Sequence, residues 1–126
     1  MARPSPQRRI LVIEDDEAIR TLVREVLLDA GFDVSDARSG NDGLVRVGTV
    51  RPDLILLDKL MPDGDGTAFA GAYHARKGPH APIVALSAAA DASEWAAHIG
   101  ASAYLAKPLD IENLVTVVKA ELAKKR

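Results

Sequence analysis

Four short runs in this sequence are apolar without interruption, or nearly so: Ile10 to Ile13, Leu54 to Leu57, Ile83 to Leu86 and, more weakly, Phe32 to Ser35. A strand with one face in water alternates apolar and polar residues, so a continuous run marks a strand covered on both sides. Each run is followed by helical periodicity, and a fifth unit starts at Ala103 to Leu105. The pattern predicts (βα)₅, a five-stranded parallel sheet inside a three-layer α/β/α sandwich with right-handed crossovers. At 126 residues the chain has room for one such domain, expected over residues 9 to 126. Residues 1 to 8, with Pro4 and Pro6, read as a disordered lead-in. On this reading any effector is a separate molecule.

Local signals place the helices. Ile19, Leu22, Val23, Val26 and Leu27 fall at i, i+3, i+4, i+7 and i+8, and Gly31 follows where a left-handed C′ residue belongs. Ser39 with Asp42, and Asp91 with Glu94, have the spacing of capping boxes and start the second and fourth helices. Asp110 caps the last helix, whose inward stripe is Ile111, Leu114, Val115, Val118 and Leu122.

Composition removes several functions. There is no cysteine, hence no disulfide, thiolate metal site or cysteine nucleophile. No apolar run approaches the ~20 residues of a membrane span, and the N-terminal segment lacks the apolar core of a signal peptide, so a cytoplasmic protein is expected. The formal charge is −2, but residues 10 to 118 hold 9 basic and 17 acidic side chains. An acidic body with one Trp, two Tyr and two Phe offers neither a phosphate-tracking face nor a stacking platform, which argues against direct nucleic-acid binding.

In open parallel sheets the site lies beyond the carboxyl ends of the strands. There this chain places Glu14, Asp15, Asp16 and Glu17 after strand one, Asp58 after strand three, Ser87 after strand four, and Lys107 with Pro108 after strand five. Two carboxylates ~4 Å apart repel by about 4 kcal/mol at an effective dielectric near 20, so converging acids call for a cation. Oxygen donors without His or Cys favour a hard ion such as Mg²⁺. Nucleotide binders of this topology cradle phosphate on a Gly-rich loop after strand one, whereas four acids stand here. An anion enters only after a metal has neutralised them, with Lys107 as second positive charge and the Ser87 hydroxyl as donor. That arrangement suits phosphoryl transfer, and Asp58, alone at the end of the central strand, is the best carboxylate nucleophile.

Taken in order, Ile10-Leu-Val-Ile-Glu-Asp-Asp-Glu17, Pro52-Asp-Leu-Ile-Leu-Leu-Asp58, Met61-Pro62, Asp65-Gly66, Ser87-Ala88, Gly100-Ala101 and Tyr104-Leu-Ala-Lys-Pro108 resemble the response-regulator receiver domains of two-component signalling. The likeness runs from about Arg9 to Lys124. It implies a flavodoxin-like fold with strand order 2-1-3-4-5, Asp58 as phosphoacceptor, and Asp15 as direct Mg²⁺ ligand. Glu14 would act through water and the Leu60 backbone carbonyl would complete the metal's protein ligands. Ser87 and Lys107 would meet the phosphoryl group, Tyr104 would be a rotamer switch, and Pro108 would follow a cis bond. Asp16 then falls outside the metal pair as a cap or loop residue. The implied donor is a sensor histidine kinase or histidine phosphotransfer protein, and the implied output is a protein target met by the face of helix four, strand five and helix five. No turnover beyond the protein's own phosphorylation and dephosphorylation is expected.

Three departures stand out. Lys59 occupies a position commonly apolar in the family, the Ser87 to Lys107 stretch is about two residues short, and Leu60 and Ala89 are apolar where a hydrolytic water would be oriented, which predicts a long-lived phosphoryl group. Two other functions stay open on the residues alone: a phosphorylation-independent adaptor of the same fold, and a Mg²⁺-dependent phosphatase with an Asp nucleophile.

Overall fold

The computed structural model describes residues 7 to 61 and 66 to 124. Most of the expected lead-in, residues 1 to 6, and Pro62 and Asp65 of the quoted motifs lie outside them. Elements alternate as β1 (Arg9–Ile13), α1 (Glu17–Asp29), β2 (Asp33–Ala37), α2 (Gly40–Val50), β3 (Leu54–Asp58), α3 (Gly66–Ala75), β4 (Ile83–Ala88), α4 (Ala92–Ile99), β5 (Ala103–Lys107) and α5 (Ile111–Lys124). The strands form one parallel sheet in the order β2-β1-β3-β4-β5, as the resemblance implied.

Period-two alternation explains the continuous apolar runs. Leu11 and Ile13 of β1, Ile55 and Leu57 of β3, and Ile83 and Ala85 of β4 pack against Val47, Phe69, Tyr73, Trp95 and Ile99 from α2, α3 and α4. Their neighbours Ile10, Val12, Leu54, Leu56, Val84 and Leu86 pack the other way, onto Val23, Leu27, Leu114, Val118 and Leu122 of α1 and α5. Both faces of β1, β3 and β4 are core, and each large side chain buried there contributes about 1.5–3 kcal/mol.

The observed strands differ from the expected runs at their ends, and the difference bears on the site. β3, β4 and β5 each continue one or two residues further, so Asp58, Ser87 and Lys107 are strand residues rather than loop residues. Asp58 is paired across from Leu86, Ser87 from Ala106 and Lys107 from Ala88. The sheet thereby fixes their backbones. β2 is shifted as a whole in the same direction: the Phe32 amide donates to the Leu27 carbonyl and closes the end of α1, so the strand begins only at Asp33 and runs on to Ala37.

The caps are mostly as expected. Asp16 caps α1 by accepting from the Ile19 amide at 3.0 Å, Gly31 has φ +99°, and Asp110 accepts from the Glu112 and Asn113 amides. Ser39 caps α2, accepting from the Asp42 amide at 3.0 Å, but the Asp42 carboxylate receives the Arg38 amide instead of closing the box on Ser39. The box expected at Asp91 and Glu94 is not formed. Asp91 precedes α4 without any side-chain cap bond, because its carboxylate is engaged elsewhere. Two stripe positions also fall outside the core: Leu22 and Ile111 are each more than two-fifths exposed.

Candidate functional site

A cavity of roughly 690 Å³ opens at the carboxyl edge of the sheet, lined by Glu14, Asp15, Asp16, Ile19, Asp58, Lys59, Leu60, Ser87, Ala88, Asp91, Lys107 and Pro108. Of the residues singled out from the sequence, Glu17, Ala89 and Tyr104 are missing from its wall. Tyr104 is 48% exposed on β5, opposite Ala85.

The heart of the cavity is one ammonium and three carboxylates. Lys107 Nζ donates to Asp58 Oδ1 at 2.7 Å and to Glu14 Oε1 at 3.0 Å. Glu14 and Asp58 are buried, Asp15 is exposed at the mouth, and oxygens of all three lie within 4.8 Å of one another. Burial is the main reason that Glu14 is pushed up to about 7; the negative charge of Asp58 adds to the rise, while the Lys107 hydrogen bond opposes it. For Lys107, burial works to lower the value, but its hydrogen bonds to Asp58 and Glu14 outweigh that and hold the ammonium above its usual range. These four groups leave more negative charge than one lysine can offset. Three converging oxygen donors, one of them with its pKa raised mainly by burial, fit a hard divalent cation and would hold it through Asp15, Asp58 and, directly or through water, Glu14. Leu60 lines the same wall, where its carbonyl is a further candidate donor.

Elements behind the site keep these groups in register. Glu14 Oε2 accepts the Asp16 amide at 3.2 Å, which folds the β1–α1 loop around it. Arg20 reaches back from α1 and donates from Nη1 to the carbonyl oxygens of Glu14, at 2.9 Å, and Asp15, at 3.3 Å, with Asp36 beside it at 3.7 Å. Although it is a charged residue on a surface helix, Arg20 is only 8% exposed. Its place should have been a clue, since Arg20, Val23 and Leu27 share the buried stripe of α1. Gly66 is needed at the start of α3, because a Cβ there would lie 2.5 Å from the Asp58 carbonyl oxygen and 2.9 Å from the Trp95 ring. The Lys107–Pro108 peptide is cis.

Across the cavity stands a second cluster. Ser87, 5% exposed, donates its hydroxyl to Asp91 Oδ2 at 3.1 Å, and the same oxygen is paired with Lys59 Nζ. The Lys59 hydrogen bond is the main cause that holds the Asp91 carboxyl below its ordinary value. Sequence reasoning missed Asp91 in this role, since nothing local ties it to a lysine 32 positions away.

A parallel α/β/α sandwich with a carboxylate cradle, a lysine and a hydroxyl at the carboxyl edge of its sheet defines a phosphoryl-handling domain of flavodoxin-like type. Residues 10–119 match the response regulator receiver domain family, and the chain belongs to it. Among relatives, the KDP operon transcriptional regulatory protein KdpE of Escherichia coli is 36% identical over 115 residues, 90% of this chain and 50% of that protein. The DNA-binding response regulator MtrA of Mycobacterium tuberculosis is 35% identical over 118 residues, 92% of this chain and 51% of that protein. This chain thus spans about half the length of the curated relatives it matches. Among solved structures, the chemotaxis response regulator CheY4 of Vibrio cholerae superposes with a TM-score of 0.83 at 27% identity, covering 91% of this chain and 98% of that one. Receiver domains of this family take part in two-component signalling and bind Mg²⁺ through acidic residues, and the Glu14, Asp15 and Asp58 cluster is of that kind. Among the described residues, no helix is long and apolar enough to cross a membrane.

Proposed function

We propose that Asp58 accepts a phosphoryl group from a phosphohistidine on a sensor histidine kinase or histidine phosphotransfer protein, and that the phosphorylated domain signals by changing its protein-binding face. The observation that carries this reading is the Lys107 ammonium bonded at once to Asp58 and Glu14, beside Asp15, in an open cavity at the sheet edge. In the transfer, an Asp58 oxygen attacks phosphorus, the O–P bond forms as the donor's N–P bond breaks, and the leaving imidazole nitrogen takes up a proton. Lys107, already on Asp58 Oδ1, is in reach of the charge that builds on the phosphoryl oxygens. A divalent ion held by Asp15, Asp58 and Glu14, with the Leu60 carbonyl, would supply the remaining positive charge. Ser87 offers the hydroxyl donor once it leaves Asp91. Tyr104, half exposed on β5, has room for the rotamer change proposed for it, and α4, β5 and α5 form the proposed outlet. Phosphate adds close to two negative charges at one point, enough to reorder hydroxyl and loop contacts around it.

The same proposal includes a single-domain protein working in the cytoplasm, without substrate turnover of its own; the mass of the protein isolated from its source cells tests the first of these. Intact mass after incubation with acetyl phosphate and Mg²⁺ tests the chemistry. One phosphate adduct is expected, lost in Asp58→Asn and without chelated metal. No adduct on the unaltered protein would favour the phosphorylation-independent adaptor. Steady phosphate release from added phosphoesters would favour the phosphatase. Leu60 and Ala89 are apolar at the two positions expected to orient a hydrolytic water, so the adduct should persist in Mg²⁺; prompt loss of radiolabel from the isolated phosphoprotein would overturn that point.

A further inference from the structure

We propose that Asp91 and Lys59 are positioning residues for Ser87: together they form a latch across the mouth of the cavity that keeps the Ser87 hydroxyl off the phosphoacceptor and ties the start of α4 to the end of β3.

The geometry leaves the hydroxyl with one proton and that proton committed. Ser87 donates it to Asp91 Oδ2 at 3.1 Å, so it cannot at the same time be donated to an oxygen on Asp58. Lys59 Nζ pairs with the same Asp91 oxygen, which fixes the acceptor in place and neutralises a carboxylate that would otherwise face the arriving anion. Lys59 directly follows Asp58, and its backbone is itself held: the Lys59 amide donates to the Leu86 carbonyl, and its carbonyl accepts the Gly66 amide. The latch is therefore anchored on β3 at one end.

Its other end is α4. Asp91 stands immediately before that helix but gives it no side-chain cap, although Asp is among the best capping residues; the carboxylate is spent on the cavity instead. The Asp91 carbonyl accepts the Trp95 amide, and Trp95 Nε1 donates to Thr67 Oγ1 at 2.9 Å, so what happens at Asp91 is one helical turn from the α3 contact. α4 has only 8 residues, and a helix this short depends on its tertiary ties. When a phosphoryl group on Asp58 draws the Ser87 hydroxyl away, Asp91 loses one of its two partners, Lys59 alone holds it, and the tie on the first turn of α4 is loosened. The latch rests on the reading of Asp58 as phosphoacceptor for its trigger, but not for its existence.

Amide hydrogen exchange of residues 92–99 in Mg²⁺, with intact mass measured on the same samples, separates the two. In the unaltered protein, exchange in the first turn of α4 should rise about fivefold when acetyl phosphate produces the adduct. Asp91→Ala and Lys59→Met should reach that raised level without any adduct, the double variant should go no further, and forming the adduct should add little. Lys59→Arg, which keeps the ion pair, should behave as the unaltered protein does. The Lys59 side chain is 25% exposed in the cavity wall and belongs to neither core cluster, so Lys59→Met should keep the fold even where Asp91→Ala does not. Unchanged adduct-free exchange in Lys59→Met, with a full response on phosphorylation, would overturn the latch. Absence of the adduct on the unaltered protein would instead strike the phosphoacceptor reading, while the adduct-free comparison would still decide the latch.

Discussion

The cavity holds two lysines, each 25% exposed and each closing on carboxylate, but their partners sit in opposite surroundings. Lys107 meets Glu14 and Asp58, whose side chains are 1% and 5% exposed, whereas Lys59 meets Asp91, whose side chain is 37% exposed. The chemistry of the pairs is the same, but water is not. In the buried cluster a lost partner leaves uncompensated charge in a poorly solvated place, and in the exposed pair water takes over most of what the partner supplied. The first is consequently a matter of stability and charge, the second of position.

That contrast can be broken in a series of measurements. The largest effect is expected for Lys107→Met, which strands Glu14 and Asp58 together; urea unfolding in chelator at pH 8 should show a loss of about 3 kcal/mol, reduced when Mg²⁺ is added. Equal stability in chelator would mean that burial does not govern the cluster. Next comes pH. Glu14 holds its proton more tightly in the folded protein than in the unfolded chain, so between its ordinary 4.5 and about 7 the folded state carries the extra proton and stability falls as pH rises. Chelator-treated protein should show this slope, and Glu14→Gln should remove it; a slope of opposite sign would contradict the burial argument. Mg²⁺ binding, which favours the ionised acid, should strengthen over the same window. On the exposed side, Lys59→Met should cost less than about 1 kcal/mol in the same unfolding assay, whatever it does to α4. The smallest change is expected for Tyr104→Ala, at a few tenths of a kcal/mol, because a half-exposed edge-strand ring buries little; a loss near that of Lys107→Met would show that the ring is part of the core.

The same division marks what could be read in advance. β1, β3 and β4 are legible because two covered faces force both alternating sets of residues to be apolar, and the acids, Ser87 and Lys107 fall at their ends by simple continuation. β2 is less so. As an edge strand it carries Asp33, Ser35 and Asp36, and its preceding Phe32 belongs to the close of α1. The strand order came from family resemblance, since periodicity says nothing about which strands are neighbours. At the site, the members of the Lys107 cluster announced themselves by charge at strand ends, where solvated carboxylates would otherwise be unremarkable. The Lys59–Asp91 pair did not, because Asp91 offers a local explanation as a helix cap and its true partner is distant in sequence. Arg20 is hard to read in advance because arginine is seldom buried, although its helical phase with Val23 and Leu27 points inward.

Arg20 also has a bearing on metal uptake. Its guanidinium grips the main chain of Glu14 and Asp15 from below, so the ligand loop is already shaped before any ion arrives. A divalent ion bound there as proposed would not have to organise the segment, because the entropy of that ordering has been spent during folding. On the proposed reading, affinity for the ion would be governed in part by a buried guanidinium that holds the backbone of its ligands.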